Sequence, residues 1–520
     1  MRGWFSSNFK LCLSCIQILI DVAGNMSELA AFNERISDLF RLRALQSHLS
    51  WDQQTKMPPE GASARGEMMA WLARKHHQSL TDEDLGRIIS SLEKQDLSPD
   101  DRANVRLMRR EYDKASLIPE ELVNRMTKAS SDAFMAWQEA KSNSDMNSFL
   151  PHLRTLVDLT KEKISYLGVE STPYDVLLDD YEVGMGVKDY DPFFSNIRGR
   201  LVPLFQAIQS SSTKIPEWPD SVTIPESEQE SFCQNVINEI GFDLQAGRVD
   251  RAPHPFCSGL WPGDTRLTTR FDETQPFSSI YAAMHEAGHG LYEQGLNQNF
   301  AFSPRGQAVS LGVHESQSRF WENMVGRSQS FWDVAQSWYD ECFHSKPNYD
   351  KSSLYNLVNQ VKPSYIRVEA DEISYNFHIM LRYEIEKKIF NDNLPVEKIE
   401  ETWNDLFEDY FGIEVDCASN GCLQDVHWAY AAFGYFPTYT LGNVYAAQLY
   451  EAMQEDLGDL NQIISNGDWT PMKTWLNEKI HIHGSLMEPT ELIEQATGKK
   501  PNSEPFLKYL ESKFSQIYQL

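Results

Sequence analysis

Two histidines four residues apart, His285 and His289, bracket Glu286, Ala287 and Gly288. In an α-helix, positions i and i+4 share a face, so both imidazoles can reach one ion. A strand or a loop gives that spacing no such use. The pattern therefore demands a helix, read here over residues 281–293. Its neighbours agree: Tyr281, Ala282, Ala283, Met284, Ala287 and Leu291 are apolar, as on a helix made for burial. Ser278 or Ser279 is the expected cap and Gly295 the expected stop. Gly288 and Gly290 each cost ~1 kcal/mol against alanine inside a helix. Small residues there let a second helix approach closely behind the imidazoles. The plainer reading, two surface histidines on a charged helix, sits badly with this apolar run.

Neutral imidazole is a good zinc ligand. A carboxylate beside the first ligand, Glu286, can reach a water activated by the metal and take its proton, the role of a general base. A catalytic site also needs a third ligand and one open position. The candidates lie on the next expected helix, 311–325: Glu315, with His314 competing. Helix phase does not separate neighbours. The plan of zinc peptidases that draw a glutamate from the following helix favours Glu315. Taken alone, that residue reads as a solvated helix charge.

The rest of the chain is helix after helix. Ser98-Pro99 is a cap and first-turn pair before one. Residues 145–167, 190–210, 226–240, 331–343, 364–390, 397–411 and 441–457 carry helical patterns. One stretch, 241–273, is rich in Gly, Pro, Thr and Arg. Within it residues 265–271 alternate as a short strand. That strand either borders the site and takes an extended peptide by strand addition, or is part of a small structural hairpin. His481 and His483 alternate without an acidic partner and are read as structural.

Composition narrows the partners. The 520 residues carry 47 basic and 75 acidic side chains, a formal charge of −28. Such a surface repels phosphate backbones and anionic lipid, which argues against nucleic acid or a membrane as partner. Seven cysteines, an odd number without framework spacing, fit a reducing, cytoplasmic setting. Residues 1–25 include an apolar run too short to span a bilayer. They are read as an N-terminal extension outside the fold, with a helix opening at Ser27 and a single domain over residues 26–520.

Five separated motifs resemble the thermostable carboxypeptidase (carboxypeptidase Taq) family of metallocarboxypeptidases. They are Asp264-Thr265-Arg266-Leu267-Thr268, the His285 to His289 run, His314-Glu315-Ser316-Gln317, Ile366-Arg367-Val368-Glu369-Ala370-Asp371, and Gly421 to Trp428 with Gln424, Asp425 and His427. The likeness runs from about residue 27 to the end. It implies a mainly α, two-lobed fold with a deep cleft and a small β-sheet beside the zinc helix. It implies one zinc ion per subunit on His285, His289 and Glu315, replaceable by cobalt or manganese. Glu286 would be the base and Arg367 the receptor for the substrate's terminal carboxylate. His427, with Tyr430 or Tyr435, would bind substrate or steady the reacting centre, and Asp264 and Arg266 would shape the cleft wall. It also implies a homodimer that releases single residues from peptides with a free C-terminus. Without the motif, Arg367 reads as a helix salt bridge and His427 as a core histidine.

Overall fold

The computed structural model describes residues 4–520, with side chains from residue 27 onward. The expected extension, residues 1–25, lies outside the residues described in full. The first helix, α1 (Trp4–Thr55), passes through Ser27 rather than opening there.

A first hydrophobic core forms among α1, α2 (Ala62–Leu80), α3 (Glu83–Leu92) and α4 (Pro99–Leu117). Phe32, Ile36 and Leu39 of α1 recur at helical spacing and meet Leu85, Ile89 and Leu92 of α3 and Met108 of α4. Asp82 starts α3 by accepting from the N–H groups of Asp84 and Leu85, and Ser98 starts α4 by accepting from Asp101.

The second and much larger core gathers the remaining helices. These are α5 (Glu120–Asn143), α6 (Met146–Leu167), α7 (Pro173–Leu178), α8 (Val187–Ser210), α9 (Glu226–Glu239), α10 (Pro276–Gly295), α11 (Leu311–Arg319), α12 (Phe331–Cys342) and α13 (Lys351–Val358). They continue with α14 (Ser374–Asn391), α15 (Ile399–Phe411), α16 (Pro437–Leu457), α17 (Leu460–Ser465), α18 (Thr470–Lys479), α19 (Pro489–Thr497) and α20 (Glu504–Tyr518). The helix that carries the two histidines, α10, is buried on most sides, as its apolar run requires.

The seam between the two cores is largely polar. Arg106 pairs with Glu488, and Arg305 reaches Asp100 at 2.7 Å. Lys114 meets Asp179 and Asp180, and the hydroxyls of Ser47 and Ser258 lie 2.8 Å apart.

Three strands pack beside α10: β1 (Gly247–Arg251), β2 (Cys257–Trp261) and β3 (Asp264–Thr269). The expected strand, β3, is the central one, parallel to β1 and antiparallel to β2. Both its edges are taken, so strand addition at β3 is ruled out; β1 and β2 escaped the sequence reading because neither alternates cleanly.

One expected helix is shorter than read. Residues 364–373 are not part of α14. The Asp371 carboxylate accepts from the N–H groups of Ile373 (2.9 Å) and Ser374 (3.0 Å), which starts the helix there. Arg367 thus sits in a short 3₁₀ turn ahead of α14 (Arg367–Glu369).

Candidate metal and carboxylate site

Pro276, with no N–H to leave unpaired, occupies the first turn of α10. Neither expected serine caps it: Ser279 lies inside the helix and donates to Gln229 Oε1 at 2.8 Å. Nine and thirteen residues into the helix come His285 and His289, their ring centroids 4.8 Å apart. His285 Nδ1 lies 2.9 Å from Glu322 Oε2, and His289 Nδ1 lies 3.1 Å from the carbonyl oxygen of His314. Both partners are acceptors, so in the neutral form of each ring Nδ1 carries the proton and Nε2 the lone pair. Burial opposes protonation of His285, but Glu315 and Glu322 outweigh it and raise its pKa. The two Nε2 atoms sit 3.7 and 3.5 Å from one atom, Glu315 Oε2. One ligand atom from each of the three residues falls within 4.8 Å of the others. Two neutral imidazoles and a carboxylate, with the far ring nitrogens tied down, suit a divalent cation with a position left over.

Close packing brings Glu315 there. Ser310 caps α11, accepting from Val313 at 3.1 Å. A Cβ on Gly288 would lie 2.5 Å from the Gln317 carbonyl oxygen, so α10 and α11 meet backbone to backbone at that glycine. A Cβ on Gly442 of α16 would lie 2.4 Å from Glu315 Cγ. His314, the competing candidate, turns aside: its Nε2 is 2.8 Å from Glu293 Oε1. After Arg319 the helix widens to π geometry over Phe320–Gly326, which carries Glu322 toward His285.

Glu286 is buried, and burial, with Glu315 and Glu322 nearby, pushes its carboxyl up to about 7 against the pull of His285. Burial likewise pushes His289 down to about 3. Burial also opposes ionisation of Glu315, but Arg319 and the two imidazoles outweigh it and hold that carboxyl well below the usual range.

A second group of charges lies at the start of α14. Arg367 donates through Nε (3.0 Å) and Nη2 (2.8 Å) to Asp425 Oδ1. Arg382, fully buried, donates through Nε to Asp425 Oδ2 at 2.6 Å. Two guanidiniums on one carboxylate leave one net positive charge. The remaining Arg367 nitrogen, Nη1, is 3.3 Å from the Tyr375 hydroxyl. The loop bearing Asp425 is pinned from both sides. Gln424 accepts from the Arg367 N–H at 2.9 Å, and buried Glu386 accepts from Trp428 Nε1 at 2.8 Å.

His427 Nε2 lies 3.3 Å from the Tyr439 hydroxyl, and the Tyr435 ring packs against both residues, 5.2 Å from each. Tyr430 instead is half exposed and stacks on Phe134 of α5. Tyr375 joins the two groups: the Arg319 guanidinium lies 4.5 Å from its ring centre, and Arg367 meets its hydroxyl.

Asp264 and Arg266 stand on β3, the strand that packs beside α10. They pair with each other through two 2.8 Å hydrogen bonds, and Arg266 stacks at 4.3 Å on Trp51 of α1. His481 is buried and holds Gln317 Oε1 at 2.8 Å, while His483 meets a backbone carbonyl. Sequence reasoning missed Arg319, Glu322, Tyr375, Arg382 and Tyr439. One signal was available for Glu322: an acid inside the apolar run Phe320 to Val325 needs a buried partner.

Against known families, residues 31–514 match the one described as "Carboxypeptidase Taq (M32) metallopeptidase". Thermostable carboxypeptidase 1 of Thermus thermophilus is 40% identical over 494 residues, 92% of this chain and 96% of its own length. Carboxypeptidase 1 of Bacillus subtilis is 38% identical, covering 91% of this chain and 95% of its own. The crystal structure of an M32 carboxypeptidase from Deinococcus radiodurans superposes with a TM-score of 0.91 at 33% identity, over 95% of this chain and all of that one.

Proposed function

The chain belongs to the carboxypeptidase Taq family of metallopeptidases and is a metal-dependent carboxypeptidase; from that premise we propose how its own residues divide the work. His285, His289 and Glu315 hold one divalent ion, zinc by the nitrogen-rich donor set, with cobalt or manganese able to replace it. Such an ion supplies Lewis acidity and makes a water acidic enough to give up its proton to a carboxylate. Glu286 takes that proton and returns it to the leaving amine. Its buried setting suits both halves of the task. Arg367 receives the terminal carboxylate, since its guanidinium is only partly spent on Asp425 and the Arg367–Asp425–Arg382 group retains a positive charge. His427 is pushed down to about 4 by burial, with Arg367 and Arg382 adding to the effect and Asp425 opposing it. It therefore offers a neutral ring, steadied by Tyr439 and Tyr435. Asp264 and Arg266 shape the cleft wall beside α10, their pair seating Trp51 of α1 on the sheet. The chain works as a cytoplasmic homodimer; sedimentation of the purified protein would check the dimer and cell fractionation the compartment. Among the described residues no helix is long and apolar enough to cross a membrane.

The observation that carries this reading is the convergence of two free Nε2 atoms and one carboxylate oxygen while both Nδ1 atoms are taken. Its test is a short peptide with a free C-terminus beside the same peptide amidated. The free peptide should lose residues one at a time and the amide none. Glu286→Gln should lower kcat by about 10²–10⁴-fold while metal stays bound. Internal cleavage of both peptides would instead identify an endopeptidase.

A further inference from the structure

Arg319 follows Glu315 by one helical turn and is almost entirely enclosed, its side chain 12% exposed. It makes three contacts at once. Nε donates to Glu315 Oε1 at 2.7 Å, and Nη1 donates to Glu322 Oε2 at 3.2 Å. The guanidinium also stacks on Tyr375. The two carboxylates it touches are not equivalent. Glu315 presents its other oxygen, Oε2, to the imidazoles. Glu322 Oε2 is the same atom that accepts the hydrogen bond of His285 Nδ1. One guanidinium therefore holds the outer oxygen of one ligand and the orienting acceptor of a second.

We propose that Arg319 is a positioning residue that keeps Glu315 a one-oxygen ligand and thereby reserves coordination positions for water and the peptide carbonyl. A carboxylate facing a dication with nothing behind it is free to turn and bind through both oxygens. A short charge-assisted hydrogen bond to the outer oxygen opposes that turn. Only a planar fork can do this while also bonding Glu322 and lying flat on an aromatic ring. A lysine ammonium is a compact point charge and cannot span the three contacts. Ser318 Oγ donates to the inner oxygen, Glu315 Oε2, at 3.3 Å and so does not hold the outer one.

The inference rests on the reading that His285, His289 and Glu315 hold the ion, and the test separates the two. Wild type, Arg319→Lys and Arg319→Gln are loaded with Co²⁺, with circular dichroism confirming the fold. Visible absorption and metal loss to a chelator are then recorded. Wild type should give the intense visible bands of four-coordinate cobalt. Both variants should give the weak bands of higher coordination and bind metal about 10–100-fold less tightly. Identical spectra in all three proteins, with cobalt bound, would overturn the inference alone. So would weaker binding with an unchanged spectrum, because charge and not geometry would then explain the loss. A wild type that binds no cobalt at the three residues would overturn the metal reading and this inference together. If neither variant folds, the wild-type spectrum decides: weak bands there rule out the one-oxygen arrangement.

Discussion

The imidazole end of the site and the guanidinium end solve opposite problems by opposite means. At the first, His285 and His289 stand on one continuous helix, and Glu315 comes from the next helix through contact at Gly288 and Gly442. Local geometry does nearly all the aiming. At the second, Arg367 lies in a turn, Asp425 in a loop, His427 at the start of the short 3₁₀ turn His427–Tyr430, and Arg382 in the middle of α14. There the aiming is done by long-range polar bonds: Gln424 to Arg367, Glu386 to Trp428, Asp425 to both arginines. A helix carries a metal ligand cheaply because its backbone bonds are already made. A loop must have every polar group met from outside, or it loses its shape. Rigidity at one end is local, and at the other it is shared.

That contrast fails if the two ends respond alike to substitution. The largest effect is expected at Asp425. Asp425→Asn leaves two buried guanidiniums without their counter-charge, which costs about 3–5 kcal/mol of stability. Thermal unfolding would read the loss, and metal content of the still-folded fraction should not change. Equal loss of metal would mean the two ends are one rigid unit. Next comes Arg367→Lys, which keeps the charge and gives up the fork. An ammonium cannot serve Asp425 and a substrate carboxylate together, so binding should weaken by about 1.5–3 kcal/mol. Steady-state kinetics should place most of that in KM, whereas Glu286→Gln falls in kcat. A loss in kcat alone would take Arg367 out of substrate binding.

The smallest effect is a pH dependence of stability. His427 has a folded pKa of about 4, below its ordinary 6.5, because burial disfavours the charged ring. Between those values the unfolded chain binds the proton that the folded protein refuses. The stabilisation is therefore fully present above pH 6.5 and is lost as pH falls toward 4. Urea titrations at pH 7 and pH 4.5 should show His427→Asn losing less stability on acidification than wild type does. A parallel loss in both would mean the ring is accessible to protons in the folded state.

Legibility in the sequence followed the same division. His285, His289 and Glu286 were readable because a helix has a known period. The helical class was readable because the apolar period recurs along segments such as 145–167 and a cap such as Ser98 sits where expected. The extent of α14 was misjudged because charged residues 367–372 continue a helical pattern, while Asp371 turns its side chain back on the backbone and starts the helix later. Glu322 was hidden by the widened turn, which shifts phase by an amount no fixed period anticipates; Arg319, one regular turn after Glu315, passed for an ordinary helix salt bridge. Arg382 meets Asp425 across 43 residues. Nothing in the spacing of one chain announces such a pair. Tyr439 was missed for a related reason: Tyr430 and Tyr435 lie closer to His427 in sequence, and while Tyr435 packs on the ring, it is the Tyr439 hydroxyl that meets Nε2.

The polar seam between the two hydrophobic cores bears on how the molecule comes apart. Apolar cores hold together as units, whereas ion pairs and single hydroxyl contacts can be exchanged for water at small net cost. Helices α1 to α4 should therefore open as one cooperative block while α10 and α11 stay closed. In hydrogen exchange, the amides of α3 and α4 would share an opening free energy below that of α10, α11 and α16. Trp51 would report the same event, since Arg248 and Arg266 release its ring when the block lifts. Proteases acting on the native protein would then cut first within α1 to α4 and leave the larger core, with its imidazoles in place.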